Sequence, residues 1–226
     1  MKILALVAGT NDPSNADVLC DAFLKGVKEA VPQAEIVKLR LKDLTIKHFA
    51  LEDYHPQCTS EDDFCRLQEH MESADALVFA TPVWNFSVPW HLKNVIDRMG
   101  AFCLDEETRT KGQLPGTPAY FLYTGGAPVA AWKGLMRFTT SHLPESIRYY
   151  GGTIIGKDFE GKCQPKRGTF ALIVDQRPAS LARVEAKGKS FGRIVDRYVQ
   201  TKIFPLHFRI INRTYKIGQK IVAKFF

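Results

Sequence analysis

The chain has 226 residues, of which 45% are apolar and 24% are charged, as in ordinary globular proteins. Its five cysteines lack paired spacing, which argues against a disulfide framework and against zinc or iron–sulfur ligation. The net charge of +7 is uneven, because residues 201–226 hold six basic residues and no acid. The remainder is almost neutral, so a general nucleic-acid-binding surface is not expected.

The apolar amino-terminal run is short and is followed at once by the polar segment Thr10-Asn11-Asp12. We therefore expect a buried strand there rather than a signal peptide. The sequence has no apolar run of about 18 residues, so no membrane-spanning helix is predicted. These features together lead us to expect a reducing, cytoplasmic environment.

The hydrophobic pattern alternates between strand-like and helix-like segments. Buried strands are predicted, in chain order, at residues 2–8, 35–39, 75–80, 119–123 and 149–155. Amphipathic helices are predicted at residues 18–30, 64–71, 92–99, 132–138 and 184–198, with Ser60 capping the second. Residues 40–58 and 157–169 are predicted to be loops, and nothing is predicted for 170–174. The alternation is typical of an α/β fold with a parallel sheet and helices on both faces.

Three segments that follow predicted strands have unusual composition: residues 9–16, 81–87 and 124–127. The carboxyl ends of parallel strands meet at one edge of the sheet, and ligands bind there. We therefore expect the three segments to converge on one site.

The first segment carries hydroxyl groups and the free N–H groups of a helix amino terminus, which favour a phosphate. It lacks both the lysine of a P-loop and a GxGxxG pattern. A phosphomonoester therefore fits better than nucleoside triphosphate hydrolysis. The alternative is that Ser14 or Asn15 simply caps the helix.

The second segment combines flat apolar side chains, Trp84 and Phe86, with the hydrogen-bonding residues Asn85 and Ser87. This combination suits a planar heteroaromatic ligand. The alternative is that the aromatic rings pack against a helix or a subunit. In the third segment, Gly125-Gly126 allows close approach of the backbone to a ligand. The alternative, which is the usual case for a Gly-Gly pair after a strand, is a plain turn.

These segments resemble the NAD(P)H-dependent FMN reductase and quinone reductase branch of the flavodoxin-like superfamily. The most specific part is TPVWNFSVP at residues 81–89, followed by LKN at 92–94 and IDR at 96–98. The resemblance covers about residues 1–200 and implies a flavodoxin-like, doubly wound, five-stranded parallel sheet. The chain departs from the family in having Trp84 where Tyr is usual and only Cys58 and Cys65 ahead of the second helix, so no iron–sulfur cluster is expected.

The resemblance implies FMN as cofactor, with its phosphate on the first segment and its ring between the other two. The implied cofactor-binding residues are Thr10, Ser14, Asn15, Ala16, Pro82, Val83, Trp84, Asn85, Phe86, Ser87, Thr124, Gly125 and Gly126. It also implies a homodimer that passes hydride from NADPH or NADH through FMN to a quinone or similar small-molecule acceptor, without a resident metal. The alternatives are a flavodoxin-type electron carrier and a non-enzymatic interaction module that has lost its cofactor.

No catalytic acid or base is assigned from the sequence. His91 and Tyr123 lie near predicted strand ends and could serve protonation, although a structural role is the alternative for both. Lys93, Asp97 and Arg98 are expected to form local pairs on their helix.

Residues 201–226 are predicted to be a separate basic amphipathic tail beyond the domain at 1–200. Its basic sector consists of Arg209, Arg213, Lys216, Lys220 and Lys224, and its apolar face of Ile210, Ile217, Ile221 and Phe225. Such a helix is typical of peripheral membrane contact or partner binding. The alternative is that the apolar face packs on the domain or on a second subunit.

Overall fold

A computed structural model describes residues 1–222 except Ser60 and Arg167. The strands are β1 Lys2–Val7, β2 Glu35–Arg40, β3 Ala76–Pro82, β4 Pro118–Thr124 and β5 Thr153–Glu160. The helices of this part are α1 Asn15–Ala30, α2 Phe64–Glu72, α3 Trp90–Cys103, α4 Val129–Lys133, α5 His142–Tyr149, α6 Pro178–Thr201 and α7 Leu206–Val222.

The strands form one parallel sheet in the order β2-β1-β3-β4-β5. The chain leaves β1 toward β2 on one side and returns to β3 on the other, so the order reverses between β1 and β3. In a doubly wound sheet this reversal opens a crevice at the carboxyl ends of the two strands. The predicted doubly wound, five-stranded, flavodoxin-like sheet is confirmed.

Both faces of the sheet are covered, which explains why its strands are continuously apolar. Leu4 and Leu6 point to a core shared with α2, α3 and α5. Ile3 and Val7 point to a second core, shared with α1 and α6. Successive side chains of β1 therefore pack alternately into two separate hydrophobic cores.

Helices α1 and α6 approach so closely that glycine is required at their contact. A Cβ on Gly26 would lie 2.0 Å from the carbonyl oxygen of Glu185, and one on Gly188 would lie 1.9 Å from that of Phe23. Lys25 closes the exposed side of this contact with a 2.8 Å ion pair to Glu185. The contact fixes α6 alongside α1 and so directs the preceding segment toward the amino terminus of α1.

Two predictions around β5 were wrong. The fifth strand does not begin at residue 149, because Tyr149 ends α5 and Gly151 forms a turn with φ +98°. Residues 157–160, predicted as loop, therefore belong to β5. The helix predicted at 132–138 is broken at Gly134 into α4 and a short 3₁₀ turn, Leu135–Thr140, and α5 was not predicted.

The expectation against disulfides was also wrong for one pair of cysteines. Cys58 and Cys65 are joined by a disulfide bond, since the turn ahead of α2 brings their Cα atoms within 5.2 Å. The predicted cap Ser60 lies outside the described residues. The N–H of Phe64, at the start of α2, donates instead to Asp62 Oδ1 at 3.0 Å.

Helix α7 forms as predicted, and one of its faces docks on the domain. Phe208 is buried against Tyr198 and Phe204, and Asn212 Nδ2 donates to Thr153 Oγ1 at 2.8 Å. The predicted apolar face does not dock, because Ile210, Ile217 and Ile221 remain exposed. Packing of that face on the domain was therefore a wrong alternative.

The division predicted at residue 200 stays a prediction, although α6 continues to Thr201. Lys224 and Phe225 lie outside the described residues. No helix in the described part of the chain is both long and apolar enough to cross a membrane.

Candidate functional site

A cavity of about 210 Å³ lies at the carboxyl ends of β1, β3 and β4, where the strand order reverses. The three predicted segments converge on it, since Ser14, Asn85 and Gly125 all contribute to its lining. The predicted residues that line it are Thr10, Ser14, Asn15, Ala16, Pro82, Val83, Trp84, Asn85, Thr124, Gly125 and Gly126.

Two predicted residues lie elsewhere. Ser87 lines a neighbouring cavity of about 420 Å³, which shares Thr10, Trp84 and Asn85 with the first. Phe86 lines neither cavity and is 68% exposed.

The sequence analysis missed a fourth part of the lining: Cys163, Gln164 and Phe170. These residues lie between β5 and α6, in a segment without hydrophobic periodicity, and no sequence signal would have assigned them to the site. Gly9 and Asn11 also line the cavity and lie within the first predicted segment.

The first segment turns tightly before α1. A Cβ on Gly9 would lie 2.0 Å from Ser14 Oγ, so only glycine leaves room for this hydroxyl. Ser14 occupies the cap position with extended backbone, but its side chain makes no capping hydrogen bond. Its carbonyl oxygen accepts the N–H groups of Asp17 and Val18. Side-chain capping therefore does not account for Ser14.

The side chain of Asn15 binds a distant segment of the chain. Its Oδ1 accepts the N–H groups of Ile173 (2.8 Å) and Val174 (3.0 Å), and its Nδ2 donates to the Ala171 carbonyl (2.9 Å). The residue thus contributes only its backbone to the cavity. The N–H groups of Asn15 and Ala16 donate to no other described residue, and they form the positive end of α1. This end of the helix suits an anion.

Asp12 is the acid nearest this helix end along the loop, and it is neutralised by cations at the end of β2 and just beyond it. Lys42 Nζ lies 2.7 Å and Arg40 lies 3.0 Å from its carboxylate. The hydrogen bond from Lys42, followed by that from Arg40, lowers the pKa of Asp12. The loop therefore presents no uncompensated carboxylate from Asp12 that would repel an anion.

The second segment forms a two-residue turn. Trp84 and Ser87 exchange two backbone hydrogen bonds of 2.8 Å, and the corner residues have positive φ: +47° at Asn85 and +63° at Phe86. This is the type I′ arrangement. A bulky residue with positive φ is strained, and such strain clusters at functional sites. Neither corner N–H donates to another described residue, so both remain available to a ligand.

Phe170 lines the cavity beside Trp84. Its ring stacks on Trp84, and the chain around it is anchored on both sides. On one side the N–H of Cys163 donates to the Gly125 carbonyl at 2.9 Å. On the other side Asn15 holds residues 171–174. We call residues 163–174, without Arg167, the strap.

The two glycines of the third segment lie close to side chains of β5 and of the strap. A Cβ on Gly125 would lie 3.0 Å from the ring of Phe159, and one on Gly126 would lie 2.9 Å from Gln164 Oε1. A larger residue at position 125 would displace Phe159, and one at position 126 would displace Gln164 of the strap.

His91 and Tyr123 do not line the cavity. His91 is buried and its Nε2 contacts the Ala8 carbonyl oxygen at 3.2 Å, so this nitrogen carries the hydrogen. Burial lowers the pKa of His91 and raises that of the fully buried Tyr123. A structural role, and not protonation of a substrate, therefore accounts for His91 and Tyr123.

Residues of the LKN and IDR motifs lie on α3 and do not line the cavity. The exposed pair Lys93–Asp97 forms at 2.5 Å, as predicted. The local pairing expected for Arg98 was wrong, because its side chain makes a fully buried 2.5 Å ion pair with Asp62. Asn94 accepts the N–H of Phe49 (2.6 Å) and donates to a second backbone group nearby. These contacts fix the segment ahead of α2 to α3.

Residues 1–136 match the family model described as NADPH-dependent FMN reductase. In sequence, the chain is similar to "FMN-dependent NADH:quinone oxidoreductase 9" of Burkholderia lata, with 29% identity over 143 residues, 55% of this chain and 68% of the relative. It is also similar to "Iron-sulfur flavoprotein" of Archaeoglobus fulgidus, with 35% identity over 100 residues, 43% of this chain and 48% of the relative. In fold, it is similar to the NAD(P)H:quinone oxidoreductase from Methanothermobacter marburgensis, with a TM-score of 0.64, 20% identity, and coverage of 84% of this chain and 95% of that one. The matched part of the chain thus spans about half of one curated relative and about two thirds of the other.

Proposed function

The chain belongs to the NADPH-dependent FMN reductase family, and we propose that it binds FMN and uses it to oxidise NADPH or NADH and reduce a quinone or similar small molecule. The observation that carries this proposal is the cavity at the reversal of strand order, on which three separate strand ends converge. Flavodoxin-like sheets bind FMN at this point.

The donors around the cavity suit FMN. The free N–H groups of Asn15 and Ala16 at the start of α1 match a phosphate. The indole of Trp84 offers a flat wall, and the N–H groups of Asn85 and Phe86 can donate to the polar edge of a ring. When bound, FMN supplies the redox chemistry by accepting hydride from a reduced nicotinamide and passing reducing equivalents to an acceptor.

We infer that nicotinamide and acceptor occupy, in turn, the neighbouring cavity of about 420 Å³. It adjoins the proposed FMN cavity through Trp84 and Asn85, and its lining also includes Trp90. Trp90 is 59% exposed and lies against His48, with ring centroids 4.7 Å apart. A flat substrate could therefore stack on an aromatic surface beside the cofactor.

We propose that the protein is a homodimer. The apolar side chains Phe86 and Trp90 are exposed close to the neighbouring cavity, which would favour their burial by a second subunit. Analytical ultracentrifugation at several protein concentrations tests this proposal.

Cytoplasmic location stays a prediction, and cell fractionation with an antibody against the chain tests it.

The proposed function is tested by loading the purified protein with FMN and following NADPH and NADH oxidation with menadione as acceptor. We expect stoichiometric flavin uptake and many turnovers per cofactor. Flavin uptake without turnover would indicate the flavodoxin-type carrier instead. Failure to take up FMN would remove the redox proposal.

A further inference from the structure

Helix α7 has three different faces, and the first of them fixes it to the domain. Phe208 packs against Tyr198 and Phe204, and Asn212 is hydrogen-bonded to Thr153. One turn further on, Tyr215 lines a cavity together with Glu145 of α5. These residues recur at helical spacing, so one side of α7 is committed to the domain.

The opposite side of α7 is an apolar ridge, made of Leu206, Ile210, Ile217 and Ile221. Their exposed fractions are 67%, 55%, 51% and 54%. The spacing of four and seven residues places them in one stripe along the helix. Because the domain lies on the other side, nothing else in the described chain covers this stripe.

The third face lies between the docked face and the ridge, and it is basic. Arg209, Arg213, Lys216 and Lys220 line a single shallow groove along it. No acidic residue occurs anywhere in residues 201–226, so no neighbour within the tail compensates these charges. The ridge is therefore bordered along its length by a strongly positive flank.

A second copy of the chain does not fit this surface well. In a helix pair built on this ridge, Arg213 and Lys220 would border the seam, and the tail has no acidic residue to pair with them. Pairing would bring these cations of the two helices close together.

A nucleic acid is also a poor partner for this surface. It would neutralise the basic flank but would leave the apolar ridge in water.

An anionic lipid surface satisfies both faces at once, since acyl chains accept the apolar ridge and headgroups accept the cations. We propose that α7 is an interfacial helix, which lays its ridge into the surface of an anionic bilayer while its docked face holds the domain. This inference does not depend on the redox function.

Flotation of the full chain with vesicles tests the proposal. Vesicles of equimolar phosphatidylcholine and phosphatidylglycerol are expected to bind the protein, and pure phosphatidylcholine vesicles much less. Raising the salt concentration should release it, because screening weakens the attraction to headgroups. If the wild-type protein does not bind anionic vesicles at low salt, the proposal is overturned.

Two triple variants separate the two faces. Replacing Arg213, Lys216 and Lys220 with Gln should weaken binding on the order of 100-fold, as expected for three charges near an anionic surface. Replacing Ile210, Ile217 and Ile221 with Ser should weaken it roughly tenfold or more. Circular dichroism at rising temperature would verify that each variant is folded.

A matched control removes exposed side chains elsewhere. Leu135→Ser with Lys187→Gln takes one exposed apolar group and one exposed charge from other surfaces, and binding should be unchanged. If this control loses as much binding as the α7 variants, the attraction is not specific to α7. A dimer that the isoleucine variant dissociates, without any vesicle binding by the wild type, would assign the ridge to a second copy and overturn the proposal.

Discussion

The ring of Phe170 lies against the indole of Trp84, with centroids 5.0 Å apart and planes inclined by 26°. Both side chains line the proposed FMN cavity, which measures about 210 Å³. Sites for ligands of this size are usually larger, from about 300 Å³ upward. The stack therefore occupies part of the space that a flat cofactor needs, and we expect FMN binding to displace Phe170.

Phe170→Ala should increase the affinity for FMN by roughly twofold to tenfold, because an aromatic stack is worth about 0.5–1.5 kcal/mol. Quenching of flavin fluorescence on titration of the apoprotein measures this change. Phe138→Ala, which removes an exposed ring outside the cavity, serves as the control. Weaker binding by Phe170→Ala would mean that the ring is a wall of the bound state instead.

Asn15→Asp should separate phosphate binding from strap anchoring. The carboxylate keeps both acceptor contacts with Ile173 and Val174 and loses only the donor contact with Ala171. It also places a negative charge beside the proposed phosphate position. We expect FMN affinity to fall at least tenfold while riboflavin, which lacks the phosphate, binds almost as before.

Asn15→Ala is the companion variant, since it removes all three contacts without adding charge. Its free energy of unfolding in urea should fall by about 1–3 kcal/mol, because it leaves strap groups unpaired. Equal losses of FMN and riboflavin affinity in Asn15→Asp would contradict the assignment of the phosphate to this end of α1.

The buried ion pair between Asp62 and Arg98 should matter far more than the exposed pair on the same helix. Asp62→Asn removes one charge of this buried pair, so the free energy of unfolding should fall by about 3–5 kcal/mol. Lys93→Met, which removes the exposed pair with Asp97, should cost less than about 1 kcal/mol. Similar losses for both variants in urea unfolding would show that burial does not distinguish the pairs.

Stability should decline in mildly acidic solution, partly through His91. Burial lowers its pKa in the folded protein below the unfolded value of about 6.5. The folded state therefore binds fewer protons, and the stabilisation that is complete above the unfolded pKa is lost as the pH falls through the folded pKa. His142, whose pKa is also lowered by burial, acts in the same direction.

His91→Gln keeps a donor for the Ala8 carbonyl but does not titrate. The free energy of unfolding of this variant, measured from pH 8 to pH 5, should fall less steeply than that of the wild type. His55→Gln, which alters an exposed histidine, serves as the control. Parallel curves for His91→Gln and the wild type would exclude this contribution.

The sequence was informative where structure depends on local pattern. Continuous apolar runs predicted β1, β3 and β4, because buried parallel strands need apolar residues on both faces. Helical spacing likewise predicted the 2.5 Å pair between Lys93 and Asp97. The sequence pattern could not reveal that Arg98 pairs with Asp62 and not with a neighbour on its own helix, since that pairing depends on how distant segments pack.

The same limit applies to the strap and to α7. The strap has no periodicity, and its anchoring by Asn15 joins residues more than 150 positions apart. In α7, periodicity identified an apolar face and a basic sector, but the domain is held by a third face that contains Phe208 and Asn212. A mixed face of this kind gives no clear hydrophobic signal.

The anchoring of the strap by Asn15 has a consequence for biosynthesis. A ribosome that has extruded only residues 1–136 has already delivered every strand end that faces the proposed FMN cavity, yet the strap is still to be translated. A nascent chain at that stage lacks the part of the cavity lining that Cys163, Gln164 and Phe170 contribute. The complete lining therefore forms only after the carboxy-terminal third of the polypeptide has emerged and joined the amino-terminal helix.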